Sequence, residues 1–170
     1  WSSDVALPIC ENWNYGNKSS SLLVPAATGP MHGWIEFKEA ITVRTGTLDD
    51  FCAQRGLARI DFIQMDVQGA EQLVLAGAAA MLPRITAIWL EVSAREHYRG
   101  QALGPAITRF MRARGFVLAH AIYLGDATGE GDHLYLNVRR PRTWSYLATR
   151  WLRRLAGRLK RALFSSPPLP

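Results

Sequence analysis

A chain of 170 residues, of which 48% are hydrophobic and 20% charged, is long and apolar enough to form one compact domain. This composition excludes a disordered chain, and no apolar run is long enough to cross a bilayer. The net charge of +6 is unevenly distributed: all 14 acidic residues lie at or before Asp132, whereas the last 32 residues carry nine basic ones. We therefore divide the chain into a slightly acidic body and a strongly basic end.

The chain begins WSSDVALPIC, without an initiating Met, a basic start or an apolar signal core. We interpret Trp1 as a position inside a longer protein, and the chain as a fragment of that protein. The two cysteines, Cys10 and Cys52, match no metal-binding or redox spacing. With no sign of export, we predict two reduced thiols in a cytoplasmic protein.

The first part of the chain is predicted to contain one strand and one helix. Residues 1–30 are rich in Ser, Asn, Gly and Pro, and this composition predicts a loop with little regular structure. Residues 35–45 alternate and include β-branched side chains, which predicts a strand. Residues 47–56 are predicted to form a helix, because Thr47 is a good N-cap and Gly56 is a good stop.

The middle of the chain alternates short apolar runs with helical patterns. Residues 60–67 and 85–92 are largely apolar, as expected of strands that are buried on both faces. Residues 68–84 have helical spacing that ends at Pro83, and residues 104–115 form an amphipathic helical pattern.

Two further strands are predicted at residues 116–124 and 133–140, joined by the turn-rich segment GDATGEGD. Alternating strands and helices predict an α/β fold with a mainly parallel sheet. The last two strands follow each other directly, and this predicts an antiparallel edge at the end of the sheet.

Three short motifs lie within residues 47–93. Thr-Leu-Asp-Asp opens the predicted helix at Thr47–Asp50, the first buried strand runs into Asp-Val-Gln-Gly-Ala-Glu at Asp66–Glu71, and the next apolar strand ends in Glu91. Together they resemble the motifs of FkbM-type S-adenosylmethionine-dependent methyltransferases. An upstream stretch, formed by Gly16, Ser20, Ser21 and Leu22, is similar to that family's Gly-x-Ser-Ser-Leu sequence. The resemblance covers most of residues 14–138.

The resemblance implies the second half of a doubly wound, Rossmann-like methyltransferase sheet with an antiparallel terminal strand, here in residues 1–140. It also implies O-methylation of a hydroxyl on a small-molecule acceptor, either a sugar or a secondary metabolite. The chain departs from the family at Gln64, where the family usually has Lys, and at Gln68, where it usually has Glu. Glutamine still forms hydrogen bonds but lacks the charge, so activity or substrate choice could differ.

Such enzymes hold S-adenosylmethionine on their first strands, through a turn of the type Asp-x-Gly-x-x-x-Gly and a second acidic residue that grips the ribose. No such turn precedes Thr47, so we predict no cofactor-binding residue in this chain. On that basis the chain alone is expected to be inactive. A different class of function stays open, in which the chain is a non-catalytic remnant or scaffold.

Asp66 and Glu91 are the first candidates for a catalytic site. Ligands of open α/β sheets bind beyond the carboxyl ends of the strands, where both residues are predicted to lie. We predict Asp66 as a base or substrate-orienting group, Glu91 as the second carboxylate, and His97 as a proton acceptor. The alternative for Asp66 is that it caps the following helix. Paired carboxylates suit Mg²⁺, but two are too few, and we predict no metal.

The remaining candidate residues are predicted to contact the acceptor. The resemblance places the loop with Trp13 and Tyr15 near the acceptor, although aromatic side chains could equally anchor a long surface loop. The full set of predicted substrate-binding residues is Gln64, Gln68, Gly69, Glu71, Trp13 and Tyr15.

The basic end, residues 141–170, contains an amphipathic helical pattern at residues 143–164. Trp and Leu on one side with Arg and Lys on the others fit a helix that lies on an anionic membrane surface, and this would make the protein peripheral to a membrane. The alternative is an ordinary helix that packs on the sheet. No nucleic-acid module is recognisable, and we predict no nucleic-acid partner.

Overall fold

The computed structural model describes residues 4–10, 20–26, 37–125, 128–141, 143–150 and 152–153. It shows a mixed α/β fold, as the sequence predicts. The strands are β1 (Asp4–Cys10), β2 (Phe37–Arg44), β3 (Ile60–Met65), β4 (Ile85–Ser93), β5 (Phe116–Tyr123) and β6 (Glu130–Asn137). The helices are α1 (Leu48–Gln54), α2 (Glu71–Ala76), a short 3₁₀ helix (Leu82–Arg84) and α3 (Gly104–Ala113).

β1 and β2 form a separate two-stranded antiparallel sheet. The prediction that residues 1–30 form only loop is therefore wrong for Asp4–Cys10. The physical reason is that β1 finds its partner more than 25 residues further along the chain, so no short-range hairpin signal marks it. Among the described residues β1 pairs with β2 alone, and such an edge position tolerates Pro8.

The main sheet has four strands in the order β3-β4-β6-β5. β3 and β4 pair in parallel, whereas β6 pairs antiparallel with both β4 and β5. Of the strands that the structure describes in this sheet, three thus run in one direction, but only one pair is hydrogen bonded in parallel. The predicted antiparallel edge is confirmed, because β5 and β6 pair antiparallel at one end of the sheet, with β5 outermost. The prediction of a mainly parallel sheet is wrong for the described residues, because β6 lies between β4 and β5 and two of the three strand pairs are therefore antiparallel.

β3 forms the other edge of this sheet, and its exposure differs from the prediction of a strand buried on both faces. Phe62 is 54% exposed, whereas Met65 is buried. Alternate residues of a strand point to opposite faces. The Met65 side of β3 is therefore packed against the core, whereas the other side packs only at its start, at Ile60, and is open at Phe62 within the described residues.

The core lies between the sheet and the helices α2 and α3. α3 contributes Ile107 and Met111, which are four residues apart and share one helix face. The other buried side chains at the centre of this core are Leu75, Ile85, Ile88, Leu90, Phe116 and Tyr135.

Both ends of α1 agree with the predicted helix. The Thr47 hydroxyl accepts a hydrogen bond from the Asp50 amide at 3.0 Å and so caps the first turn. The Asp49 carboxylate accepts hydrogen bonds from the amides of Ala80 and Met81, both at 2.8 Å. The Thr-Leu-Asp-Asp motif therefore begins one helix and also anchors the segment that follows α2.

α2 is shorter than the predicted helix over residues 68–84. It begins at Glu71, because Gln68 and Gly69 have positive φ angles of 52° and 89°, and it ends before Gly77. Pro83 lies in the separate 3₁₀ helix. The strand predicted at residues 133–140 corresponds to β6, which begins and ends three residues earlier in the chain. Its last residue, Asn137, is buried and donates to the carbonyl of Ile85 at 2.9 Å.

Residues 143–150 and 152–153 are helical, and the rest of the predicted basic helix lies outside the described residues. This helix and the sheet share a groove of about 720 Å³. The helix contributes Ser145, Tyr146, Thr149, Arg150 and Arg153, and the sheet contributes Trp89, His120 and Leu134. Within the described part of the chain, no helix is long and apolar enough to cross a membrane.

Candidate functional site

The two predicted carboxylates lie at the carboxyl ends of neighbouring parallel strands. Asp66 directly follows β3, and Glu91 lies near the end of β4. Met65 pairs with Leu90 in the parallel register, so Asp66 and Glu91 occupy equivalent next positions on the two strands. The prediction that they share one rim of the sheet is therefore confirmed, while their chemical roles stay predictions.

Gln68 connects the two carboxylates. Its side-chain Nε2 donates to Asp66 Oδ1 at 2.8 Å and reaches Glu91 Oε2 at 3.5 Å. Within the described residues, Asp66 Oδ2 has no hydrogen-bond partner. The site thus consists of an exposed carboxylate, a bridging amide and a second carboxylate that is more enclosed.

The capping alternative for Asp66 is wrong. The N-cap of α2 is Ala70, and no side chain in the described part of the chain forms a capping hydrogen bond there. Asp66 instead accepts its hydrogen bond from the Gln68 side chain. Capping of α2 therefore does not explain why an aspartate lies at this position of the rim.

Two side chains that the sequence did not single out as site residues hold Gln68 in place. The Ser21 hydroxyl donates to the Gln68 carbonyl oxygen at 2.6 Å, and the Tyr98 hydroxyl donates to Gln68 Oε1 at 3.0 Å. The segment around Ser21 lies beside the segment around Tyr98, because the Arg99 amide donates to the Val24 carbonyl at 2.8 Å. The Ser-Ser-Leu resemblance marked Ser21, but only the fold brings it to the turn after β3.

Glu71 stabilises this turn from inside. The side chain is 3% exposed, and its Oε1 accepts hydrogen bonds from the amides of Val67 at 3.2 Å and Gly69 at 3.3 Å. Burial raises the pKa of the Glu71 carboxyl, against the lowering effect of these backbone hydrogen bonds. In this position Glu71 organises the backbone of the turn, and its predicted contact with substrate stays a prediction.

Glu91 has the most strongly shifted acidity in the site. Burial, followed by the negative charge of Asp66 and then by other nearby carboxylates, raises the pKa of Glu91 to about 8. At pH 7 the Glu91 side chain is therefore mostly protonated and can donate a hydrogen bond. A carboxyl group that stays protonated beside a second carboxyl group can act as a hydrogen-bond donor.

His97 is not brought into contact with the carboxylates. Its Nε2 lies 2.9 Å from the Thr128 carbonyl oxygen, and because a carbonyl only accepts, this nitrogen donates. Glu130 Oε1 lies 4.0 Å from the same nitrogen. Within the described residues no hydrogen bond joins His97 to the site, so its predicted role as proton acceptor has no geometric support from this nitrogen.

Of the other predicted contact residues, one is exposed, one is buried and two lie outside the described residues. Gln64 is exposed on β3, opposite Trp89 in the register. Gly69 is buried in the turn, where a Cβ atom would lie 3.0 Å from the Tyr98 ring. Trp13 and Tyr15 lie outside the described residues.

The described residues do not fit a methyl-donor site. The left-handed turn at Gln68 and Gly69 is occupied by hydrogen bonds: Ser21 and Tyr98 donate to Gln68, and Glu71 accepts from the Gly69 amide. The turn also faces two carboxylates. No turn with the spacing Asp-x-Gly-x-x-x-Gly occurs in the described part of the chain. We therefore derive no step through S-adenosylmethionine from these residues. In the same part of the chain, no three His, Cys, Asp or Glu side chains form a group that could hold a metal ion.

Comparison with known families identifies the class of protein. The family model of the methyltransferase FkbM domain matches residues 5–118, and the chain belongs to this family. The resemblance noted in the sequence is thereby confirmed. A methyltransferase of this family requires a methyl donor.

A curated relative is similar over part of its length. The chain is 42% identical over 83 residues to 2-O-methyltransferase NoeI of Sinorhizobium fredii. The aligned region covers 49% of this chain and 34% of that protein, so the chain spans about a third of the relative's length. No solved structure matches the chain.

Proposed function

We propose that this chain is the acceptor-side part of an S-adenosylmethionine-dependent O-methyltransferase that acts on a hydroxyl of a sugar or secondary metabolite. The observation that carries the proposal is the pair formed by Asp66 and Glu91, joined by Gln68 at the carboxyl rim of the sheet. The name of the relative, a 2-O-methyltransferase, supports a hydroxyl oxygen as the methyl acceptor.

In the proposed reaction Asp66 is the base. Its Oδ2 accepts the proton of the acceptor hydroxyl, which makes that oxygen a stronger nucleophile. Because the Glu91 carboxyl is mostly protonated at pH 7, it donates a hydrogen bond that orients the acceptor. Gln68 keeps the two groups at a fixed distance from each other.

We infer that the main sheet is the second half of a Rossmann-like methyltransferase sheet. β3 and β4 run in parallel, and β6 lies between β4 and β5, antiparallel to both. Phe62 of β3 is exposed, which leaves room for further elements beside this strand. On this proposal, additional strands beside β3 carry the methyl-donor site in a longer protein. An α/β sheet of this kind binds its ligands at the rim where Asp66 lies.

The assay for this function uses the protein encoded by the complete reading frame that contains this chain. S-adenosylmethionine with a labelled methyl group is incubated with pairs of sugars or secondary metabolites that differ only in one hydroxyl. We expect the label to transfer to the hydroxyl-bearing compound of at least one pair and not to its deoxy partner. Transfer to amines or thiols instead, or to none of the pairs, would contradict the proposal.

We also propose that the basic end contacts the surface of an anionic membrane. Trp144 is 61% exposed and Leu152 is 57% exposed. These residues are eight positions apart and therefore lie on neighbouring parts of one helix face. The opposite side of the helix lines the groove with the sheet. Exposed Trp and Leu beside Arg fit the interface of a bilayer, where each basic group contributes about 1 kcal/mol.

We expect the variant with Trp144→Ala and Leu152→Ala to bind phosphatidylserine vesicles about tenfold more weakly than the unaltered chain, because it buries less apolar surface. Co-sedimentation measures the bound fraction. The control variant is Phe51→Ala, which removes from α1 an aromatic side chain that is 50% exposed. Equal binding of the unaltered chain and of a chain that ends at residue 142 would exclude the membrane proposal.

A further inference from the structure

We propose that Tyr98 is a positioning residue for the pair Asp66 and Glu91, and that it acts through the Gln68 amide. The inference rests on the proposed function, because it concerns the same two carboxylates. It adds a residue that neither the motifs nor the family match assigns. The Tyr98 hydroxyl contacts the Gln68 amide, and the same amide contacts both carboxylates, so Gln68 connects Tyr98 to the pair.

The position of the Tyr98 ring is fixed by its surroundings. The residue is 3% exposed. Its amide and the amide of His97 both donate to Gln101 Oε1, at 3.3 and 2.9 Å. The ring itself lies against Gly69, where an added Cβ would come within 3.0 Å of it. A buried and tightly packed ring can hold its hydroxyl at one place without losing further side-chain entropy.

The Gln68 amide has a defined orientation in this arrangement. Asp66 accepts hydrogen bonds, so the Nε2 end of the amide faces it, and the Oε1 end faces the Tyr98 hydroxyl. The hydroxyl then donates. Without that donor, Gln68 Oε1 loses its partner in a half-buried position, and the side chain can rotate away from the carboxylates.

The backbone supports the same orientation. Gln68 has φ 52°, which is uncommon for a residue with a side chain. The Ser21 hydroxyl on its carbonyl and the Glu71 carboxylate on the adjacent amides hold this conformation. The turn therefore presents the amide, and Tyr98 decides which way the amide points.

The consequence is electrostatic. Asp66 and Glu91 repel each other when both are ionised, and Nε2 of Gln68 offers each of them an N–H group. A hydrogen bond to the ionised form of an acid favours that form. When the amide turns away, Glu91 loses this donor while the charge of Asp66 remains, so the proton on Glu91 is held more tightly.

The test is the titration of the Glu91 carboxyl carbon, followed by carbon-13 NMR on the 170-residue chain. For Tyr98→Phe we expect the midpoint to rise by about 0.5 pH units. Gln68→Ala, which removes the amide itself, should raise it at least as much. The control Tyr146→Phe removes a hydroxyl from the helix beyond β6, and its midpoint should equal that of the unaltered chain.

The double variant Tyr98→Phe with Gln68→Ala separates positioning from a general structural effect. If Tyr98 acts through Gln68, the double variant has the same midpoint as Gln68→Ala alone. An unchanged midpoint in Tyr98→Phe, or two shifts that simply add, overturns the inference. The titration needs neither acceptor nor methyl donor. A protein that transfers no methyl group yet shows the non-additive shift would therefore refute the proposed function alone.

Discussion

Replacing Asp66 by asparagine is expected to lower kcat for methyl transfer by about a hundredfold, because general-base catalysis contributes about 10²–10⁴ to a rate. Asparagine has the same shape and still offers Oδ1 to the Gln68 amide, so the turn keeps its hydrogen bond. What disappears is the ability to take up a proton at the second oxygen. KM for the acceptor should change much less than kcat, since the site keeps its form.

The matched control for this experiment is Asp61→Asn. Asp61 is also an acidic residue of the β3 region, and its side chain is 58% exposed and lies 3.9 Å from the Arg59 guanidinium. Asp61 lies near the start of β3, five residues before Asp66 and away from the carboxyl end of the strand. The control protein should have unaltered kcat and KM. If Asp66→Asn retains more than half of the activity, Asp66 is not the base, and Glu91 or a residue outside this chain takes that role.

The parts of the fold that could be predicted are those with short-range signals. The Thr47 cap and the acidic first turn mark α1, and the structure shows the cap as a hydrogen bond of 3.0 Å. The apolar run before Asp66 marks β3, and the spacing of Ile107 and Met111 marks the buried face of α3. In each case the signal comes from residues that are close together in the sequence, and tertiary contacts stabilise the same structure.

The parts that could not be predicted depend on distant partners. β1 is a strand only because β2 pairs with it, and the insertion of β6 between β4 and β5 follows from pairing across the sheet. The open Phe62 face of β3 could not be read from an apolar run either. An apolar run indicates that a strand favours burial, but the elements that pack on its faces come from other parts of the chain.

The candidate site shows the same division. Asp66 and Glu91 could be identified because each lies at the end of an apolar run, and parallel strands bring such ends together. Tyr98 and Ser21 reach the site from 30 and 47 residues away along the chain from Gln68. Neither belongs to a pattern that implies contact with the turn. The left-handed conformation of Gln68 was equally hidden, since glutamine carries no preference for it.

Gly69→Ala is expected to lower the free energy of unfolding by about 3 kcal/mol. Gly69 has φ 89°, and a residue with a Cβ atom loses about 1–2 kcal/mol in this left-handed region. The added Cβ would also lie 3.0 Å from Tyr98 Cδ2 and 3.2 Å from Gln101 Cδ. Forcing an extra carbon into a packed site costs about 1–3 kcal/mol more.

Gly100→Ala is the matched control, because Gly100 has φ 77° and an added Cβ would meet no atom within 4 Å. It should lose only the backbone contribution, about 1–2 kcal/mol. Urea unfolding of both variants measures the difference, which isolates the contacts of the turn with the side chains of Tyr98 and Gln101. Equal losses would mean that the turn has room for a side chain. A larger loss at Gly69 would mean that the turn after β3 packs closely against Tyr98. The absence of a side chain at Gly69 would then be what allows the Tyr98 hydroxyl to reach the Gln68 amide.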